Sequence, residues 1–326
     1  MISQKRMKVL ILGSFCILGM ITAIPGFMFN AGKTNMSSVK SALLNPKYAS
    51  EVNQINITFP ADYDNSQLIF KQKKSSSGNN TWICTRNDGL SFPVNGKLID
   101  QLIEKASLTR SMAVVSDSYS AWQSLGLTDD TAINMSFEND FSEGGQLFSS
   151  LYFGYENADS TMIYVRNDRK STTWRIQDDI SSYLSDSVSF WADQHLLPTD
   201  SSKEADDTRT LITVETADGI KTLYNSFSDS SLFDDTIHAL LSLRSSEILS
   251  VEEFRSEAPQ AVPVMKISLS GSSESDSYGF TVYEAVFEDG VEYFARNYGI
   301  LSEADSTYLL QISDWTYSKL IETLSF

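Results

Sequence analysis

Two stretches of this chain carry similar residues in the same order, so the fold must accommodate one pattern twice. Leu98-Ile99-Asp100 returns as Leu232-Phe233-Asp234, 134 positions later, and at the same offset Ile103 matches Ile237 and Arg110-Ser111 matches Arg244-Ser245. Ile163-Tyr164-Val165-Arg166-Asn167 resembles Tyr293-Phe294-Ala295-Arg296-Asn297 at an offset of 130. Near the end of each copy Ile176 pairs with Ile312, Asp178 with Asp314, Leu184 with Leu320 and Phe190 with Phe326, at an offset of 136. Order, spacing and element type persist together over about ninety residues, which marks an internal repeat.

Within each copy the patterning is that of short strands and a few helices. Alternating apolar positions predict strands over Ile55–Phe59, Gln67–Gln72, Thr81–Arg86, Ala132–Phe137, Leu147–Phe153, Met162–Arg166 and Thr172–Ile176. Polar loops at Ser75–Asn80 and Asn139–Gly145 read as hairpin connections, and Ser268–Ser277 as a mobile hairpin tip. Three- and four-residue spacing predicts a helix through Leu98, Leu102 and Ala106, another through Ile180, Leu184, Val188 and Trp191, and a third over Leu232–Leu243. Asp178 and Asp179 stand where carboxylates cap the second of these. Nothing repeats the strand–helix–strand rhythm of a parallel sheet.

The N-terminus adds a separate constraint. Lys5, Arg6 and Lys8 precede an uncharged run from Val9 to Phe29. As a helix, that run spans roughly 30 Å, the thickness of a hydrocarbon core. Its length exceeds an ordinary signal peptide's apolar region, and Ile21 stands two places before the small Ala23. It reads as an uncleaved anchor, with a cleaved secretory signal as the alternative. The basic cluster points to a cytoplasmic N-terminus. No second apolar segment follows, so the body is expected outside the cytoplasm, as a single-pass protein or, after cleavage, as a secreted one.

The expected fold is α+β: two similar lobes of mainly antiparallel sheet with packed helices, preceded by one N-terminal transmembrane helix. The division is an anchor or signal segment at 1–30, a juxtamembrane connector at 31–54, a first repeat at 55–197, a linker at 198–208 and a second repeat at 209–326.

Charge and chemistry narrow the function. Of the 326 residues, 25 are Lys or Arg and 42 Asp or Glu, a net charge of −17 that repels phosphate backbones and argues against nucleic-acid binding. Cys16 lies in the apolar run, and Cys84 reads as a small buried hydrophobe in a strand. His195 and His238 lack partners at metal-ligand spacing and read as surface or helix-end residues. The acidic pairs Asp129-Asp130, Asp178-Asp179, Asp206-Asp207 and Asp234-Asp235 could serve hydrolysis or hold calcium, but adjacent carboxylates on a helix diverge and capping explains them better. Arg166 and Arg296 occupy matched strand positions; structural pairing is the plainer reading and an anion site the sharper one. The abundant aromatics read as core, with a carbohydrate-binding stripe as the alternative. No catalytic residue, cofactor or metal ligand is assigned.

A group of local features resembles the bacterial "domain of unknown function 4340" family. It consists of Trp82 in a strand, Phe92-Pro93-Val94-Asn95, the helix Lys97–Ser107, and Leu125-Gly126-Leu127-Thr128-Asp129, followed by the strands Ile133–Phe137, Leu151-Tyr152-Phe153-Gly154 and Met162–Asn167. The likeness covers 55–195 closely and 209–326 more loosely. The family's proline after its Leu-Asp turn is absent here, replaced by Asp129-Asp130-Thr131, and the second copy lacks a clear Leu-Gly-Leu turn. The resemblance implies a short membrane segment, an extracytoplasmic α+β body with a repeated unit, and an accessory role beside ABC-type transport components like those of gliding-motility systems. The leading expectation is thus a non-enzymatic, membrane-tethered accessory protein of an ABC-type transport or envelope complex. An envelope module that binds glycan or peptide between the lobes comes second, and an acidic-pair hydrolase third.

Overall fold

The structure, a computed structural model, describes residues 38–64, 66–74, 80–140, 144–157, 159–168, 170–197, 209–217, 219–225, 230–271, 277–299 and 307–324. The apolar run at 9–29 and the linker at 198–208 lie outside the described residues. Among the described residues no helix is long and apolar enough to cross a membrane.

The chain is α+β and its sheets are antiparallel. Among the described residues the first sheet has ten strands, in the spatial order β1 (Ser38–Ser41), β6 (Arg110–Ser116), β10 (Thr173–Gln177), β9 (Met162–Asn167), β8 (Leu147–Glu156), β7 (Ile133–Glu138), β2 (Gln54–Thr58), β3 (Gln67–Lys74), β4 (Asn80–Arg86) and β5 (Ser91–Pro93). The second has seven, in the order β13 (Glu247–Ser250), β17 (Tyr308–Ile312), β16 (Val291–Tyr298), β15 (Tyr278–Val286), β14 (Val262–Gly271), β11 (Arg209–Thr216) and β12 (Gly219–Asn225). The run β6-β10-β9-β8-β7-β2-β3 therefore has the same order as β13-β17-β16-β15-β14-β11-β12.

Register agrees with order. Ile163 lies opposite Ile176, and their sequence counterparts Tyr293 and Ile312 lie opposite one another. Arg175 faces Ala113 as Gln311 faces Glu247. Arg166 faces Tyr152, and Arg296 faces Thr281. A one-residue slip would turn each buried strand face outward, so matching register means matching inner and outer faces.

Helices occupy corresponding connections. α1 (Gly96–Ser107) precedes β6, and α3 (Ser230–Ser242) precedes β13. Asn95 caps α1 by accepting the Lys97 N–H at 3.2 Å, and Ile99, Leu102 and Ala106 form its buried stripe. After β13 comes α4 (Val251–Glu257), which begins with a reciprocal Ser250–Glu253 capping box. The corresponding connection after β6 is a pair of 3-10 turns, Tyr119–Ala121 and Gln123–Leu125.

Three expectations are corrected. The segment read as a connector at 31–54 contributes β1, β2's first residue and the buried Leu43 and Leu44; the Leu44 N–H bonds the Ala106 carbonyl at 2.9 Å. The predicted helix from Ile180 to Trp191 is a 3-10 turn, Ser181–Tyr183, and one helical turn, α2 (Val188–Trp191). Between them the Ser185 hydroxyl accepts the Ser187 N–H and the Ser185 carbonyl accepts the Trp191 indole N–H at 2.7 Å, so side chains take over bonds a helix would need. Its counterpart α5 (Asp314–Leu324) is continuous. Finally, Ser268–Gly271, read as part of a loop, extends β14 in register with β11.

The two sheets share one core. A contiguous set of buried apolar side chains runs from Leu43, Phe70 and Phe137 through Trp191, Leu196 and Leu197 to Ile267, Leu310 and Leu324. Residues 191–197 form the seam. The Asn95 N–H bonds the Trp191 carbonyl at 2.9 Å, and the Asp193 N–H bonds the Pro93 carbonyl at 2.9 Å, extending the first sheet beyond β5. On the other side the Leu196 N–H bonds the Leu243 carbonyl at 2.9 Å, and the Ser245 N–H bonds the Gln194 carbonyl at 2.8 Å. Each fully buried leucine at this joint contributes about 1.5–3 kcal/mol, and satisfied backbone groups remove the penalty of burying them.

Candidate functional site

The most informative residues are the two matched arginines. Arg166 projects from the outer face of the first sheet and is 1% exposed. Its guanidinium stacks between Trp122, 3.8 Å to the ring centroid, and Tyr152, 3.5 Å to the centroid. Its Nε–H donates to the Leu127 carbonyl at 2.7 Å, and its terminal NH2 pairs with the Asp129 carboxylate. The turn that supplies these partners depends on Gly126, at φ +68°, with the Tyr155 ring lying where a Cβ would project. Burial, followed by the nearby charges of Asp168 and Asp129, raises the Tyr152 phenol above its ordinary value. Every polar partner of Arg166 thus comes from the chain itself.

Arg296 is differently placed. Thr281 stands across from it where Tyr152 faces Arg166, so the ring is absent. The covering aromatic of α4, Phe254, packs instead against Phe294 and Tyr283, with centroids 5.0 and 5.8 Å away. These rings, with Ala258 and Leu309, make a small separate apolar cluster on the outer face of the second sheet. Arg296 is half-buried and has no ion pair or hydrogen bond among the described residues.

Arg296 lines a cleft of about 540 Å³ between the turn after β4 and the start of α4. Asp88, Gly89 and Leu90 supply one wall; Val251, Glu252, Glu253 and Arg255 supply the other, and Thr307 also lines the cleft. Thr307 also ties the walls together, because its hydroxyl accepts the Ser91 N–H at 2.7 Å. Two of the nearby carboxylates are already engaged. Asp88 is held by Arg86, which keeps its carboxyl below the ordinary value, and Glu253 accepts the Ser250 N–H at 2.7 Å in the capping box. Arg255 and Arg296 have no ion pair or hydrogen bond among the described residues and share the lining with the charged Glu252 and Glu253.

The other sequence candidates do not converge. Asp129 is bound to Arg166, while Asp130 lines a different pocket beside Tyr155. Asp178 caps a turn, accepting the Ile180 and Ser181 N–H groups at 3.2 and 2.9 Å, and Asp179 pairs with Arg110. Asp234 and Asp235 are exposed on α3, as is His238. Asp206 and Asp207 lie outside the described residues, as does Cys16. His195 is part of the seam, its ring paired with Asp193. Cys84 is buried, and burial pushes its thiol far above the ordinary value despite the opposing charge of Arg86. Among the described residues no three His, Cys, Asp or Glu side chains cluster as a metal site.

One polar group went unnoticed in the sequence. Glu138, buried on the first sheet, accepts bonds from Gln54 Nε2 at 3.0 Å and Asn56 Nδ2 at 2.8 Å. Its signal was the polar residue at every second position of β2 and β7. Because these partners satisfy the carboxylate, the group reads as structure.

The fold and the cleft define an antiparallel α+β protein of two sheets fused through one core, with an arginine-lined opening where they meet. The chain belongs to the family described as Domain of unknown function (DUF4340), which it matches over residues 85–261, from the end of β4 to the residue before β14. No curated protein and no solved structure matches it.

Proposed function

We propose that this chain is a non-catalytic accessory protein of a bacterial membrane or envelope complex. Residues 9–29 would tether it to the cytoplasmic membrane, the body would lie outside, and the partner would be an ABC-type transporter subunit or another envelope component. The observation that carries this reading is the shared core of the two sheets. Two matched sheets bonded along one seam make a rigid platform that can present fixed surfaces to a partner. The apolar run behind Lys5, Arg6 and Lys8 supplies the argument for the tether. On this account the two sheets are copies of one duplicated unit, which their common strand order supports.

The test is affinity purification of the tagged full chain from detergent-solubilised membranes. Repeated co-recovery of one transporter or envelope subunit is the expected result; a chain found in the soluble cytoplasmic fraction, with no membrane partner, would overturn the proposal. The cleft at Arg296 favours a second role for the same body, that of binding an envelope ligand between the sheets.

A further inference from the structure

We propose that the cleft at Arg296 binds an acidic peptide segment, taking one side-chain carboxylate together with the main-chain carbonyl two residues before it. The inference deepens the second role above and rests on it. The template is internal. Arg166, at the same register position in the first sheet, receives this combination from the chain's own Leu127 carbonyl and Asp129 carboxylate. A guanidinium's planar fork suits a carbonyl and a carboxylate side by side better than a point charge would.

In the second sheet the fork is present and the segment is not. Counting from the matched strands, Leu127 and Asp129 correspond to Pro259 and Ala261, beyond the end of α4. Neither supplies a carboxylate, and Arg296 has no partner among the described residues. In place of an internal partner there is an open cleft of 540 Å³, large enough for several residues of an extended peptide's side chains and backbone. Arg255 adds a second cation at the wall, and Asp88 is neutralised by Arg86. With Asp88 set against Arg86, the lining holds two cations, Arg255 and Arg296, against two carboxylates, Glu252 and Glu253, so the cleft is balanced in charge within a chain of net charge −17, and the guanidinium fork of Arg296 carries the recognition. Glu252 and Glu253 are the opposing charges, and their position at the wall sets a limit on affinity for an acidic ligand.

The probe is a fluorescent, end-blocked peptide with the sequence of residues 125–131, Leu-Gly-Leu-Thr-Asp-Asp-Thr, titrated with the purified full chain by anisotropy. Saturable binding is expected, weakened at least about tenfold by Arg296→Met, by less in Arg296→Lys, and tightened about two- to threefold by Glu252→Gln. A control peptide with both aspartates replaced by asparagine should lose binding, and acetate or inorganic phosphate at the peptide's concentration should not displace it. No saturable binding, equal binding of the asparagine peptide, or equal binding by Arg296→Met would each overturn the inference. Displacement by acetate or phosphate alone would do so too, by showing a general anion site. If Arg296→Met failed to fold, Arg296→Lys and Glu252→Gln would decide, and unchanged affinity in both would count as refutation. Failure here leaves the accessory role standing, since that role is read by membrane co-purification.

Discussion

Arg166 and Arg296 stand at one position of two sheets that share strand order and register, and their surroundings are opposite. Around Arg166 the connection after β6 folds back as two short turns and brings Trp122, a carbonyl and a carboxylate onto the guanidinium. Around Arg296 the corresponding connection is α4, which turns its own aromatic ring toward Phe294 and Tyr283 and leaves the cation facing the cleft. The same residue on the same scaffold is a structural rivet in one sheet and an available binding group in the other. What differs is the outer cover, because the inner faces of both sheets belong to one core.

The comparison can be broken at its base, by showing that the sheets do not depend on a common core. Leu196 is fully buried at the seam. Leu196→Ala should cost about 2–5 kcal/mol in denaturant unfolding of the full chain, and hydrogen exchange should show both sheets losing protection together. Loss confined to one sheet would mean separate units. The arginines come next. Arg166→Met removes a charged hydrogen bond and two ring contacts and strands the buried Leu127 carbonyl, for a loss of about 3 kcal/mol. Arg296→Met should change stability by less than about 0.5 kcal/mol. Equal costs would erase the distinction.

Exchanging the covering residues sharpens it. Tyr152→Thr, which gives the first sheet the second sheet's residue, should destabilise by about 1–2 kcal/mol through the lost ring contact and lost burial. The reciprocal Thr281→Tyr should stabilise by about 0.5–1 kcal/mol by covering Arg296, and should block the peptide probe. The smallest effect is expected at Asp88. Its carboxyl is held below the ordinary value by Arg86, so its contribution is present above the unfolded-state value and is lost as pH falls through the folded-state one. The difference in unfolding midpoint between the natural chain and Asp88→Asn should therefore shrink on acidification from about pH 5 to about pH 2.

Much of the framework could be read from residue patterns. Alternation placed β2–β4 and β7–β10 to within a few residues, since apolar residues at every second position pack into the core, even where polar residues on the other face, such as Glu138 and Arg166, are also buried. The pattern was silent for β1, whose four residues are all exposed, and for β5, which is three residues long and wholly buried. It misled at Ile180–Trp191, where helical spacing holds but Ser185 competes for the backbone bonds. The matched arginines were visible as a pair, yet nothing local distinguished them. Their difference depends on Thr281 replacing Tyr152 and on a turn around Gly89 meeting a helix that begins more than 160 residues later. Contacts across the seam carry no periodicity, so the cleft could be located only in three dimensions.

The most direct test of the account is hydrogen exchange at the two arginine Nε–H groups in the isotope-labelled full chain, followed by NMR. The Arg166 Nε–H is buried and donated to Leu127, so it should exchange orders of magnitude more slowly than free arginine, while Arg296 should exchange near the free rate. Comparable protection at both positions would contradict the claim that one guanidinium is taken up by the chain and the other is left for a ligand.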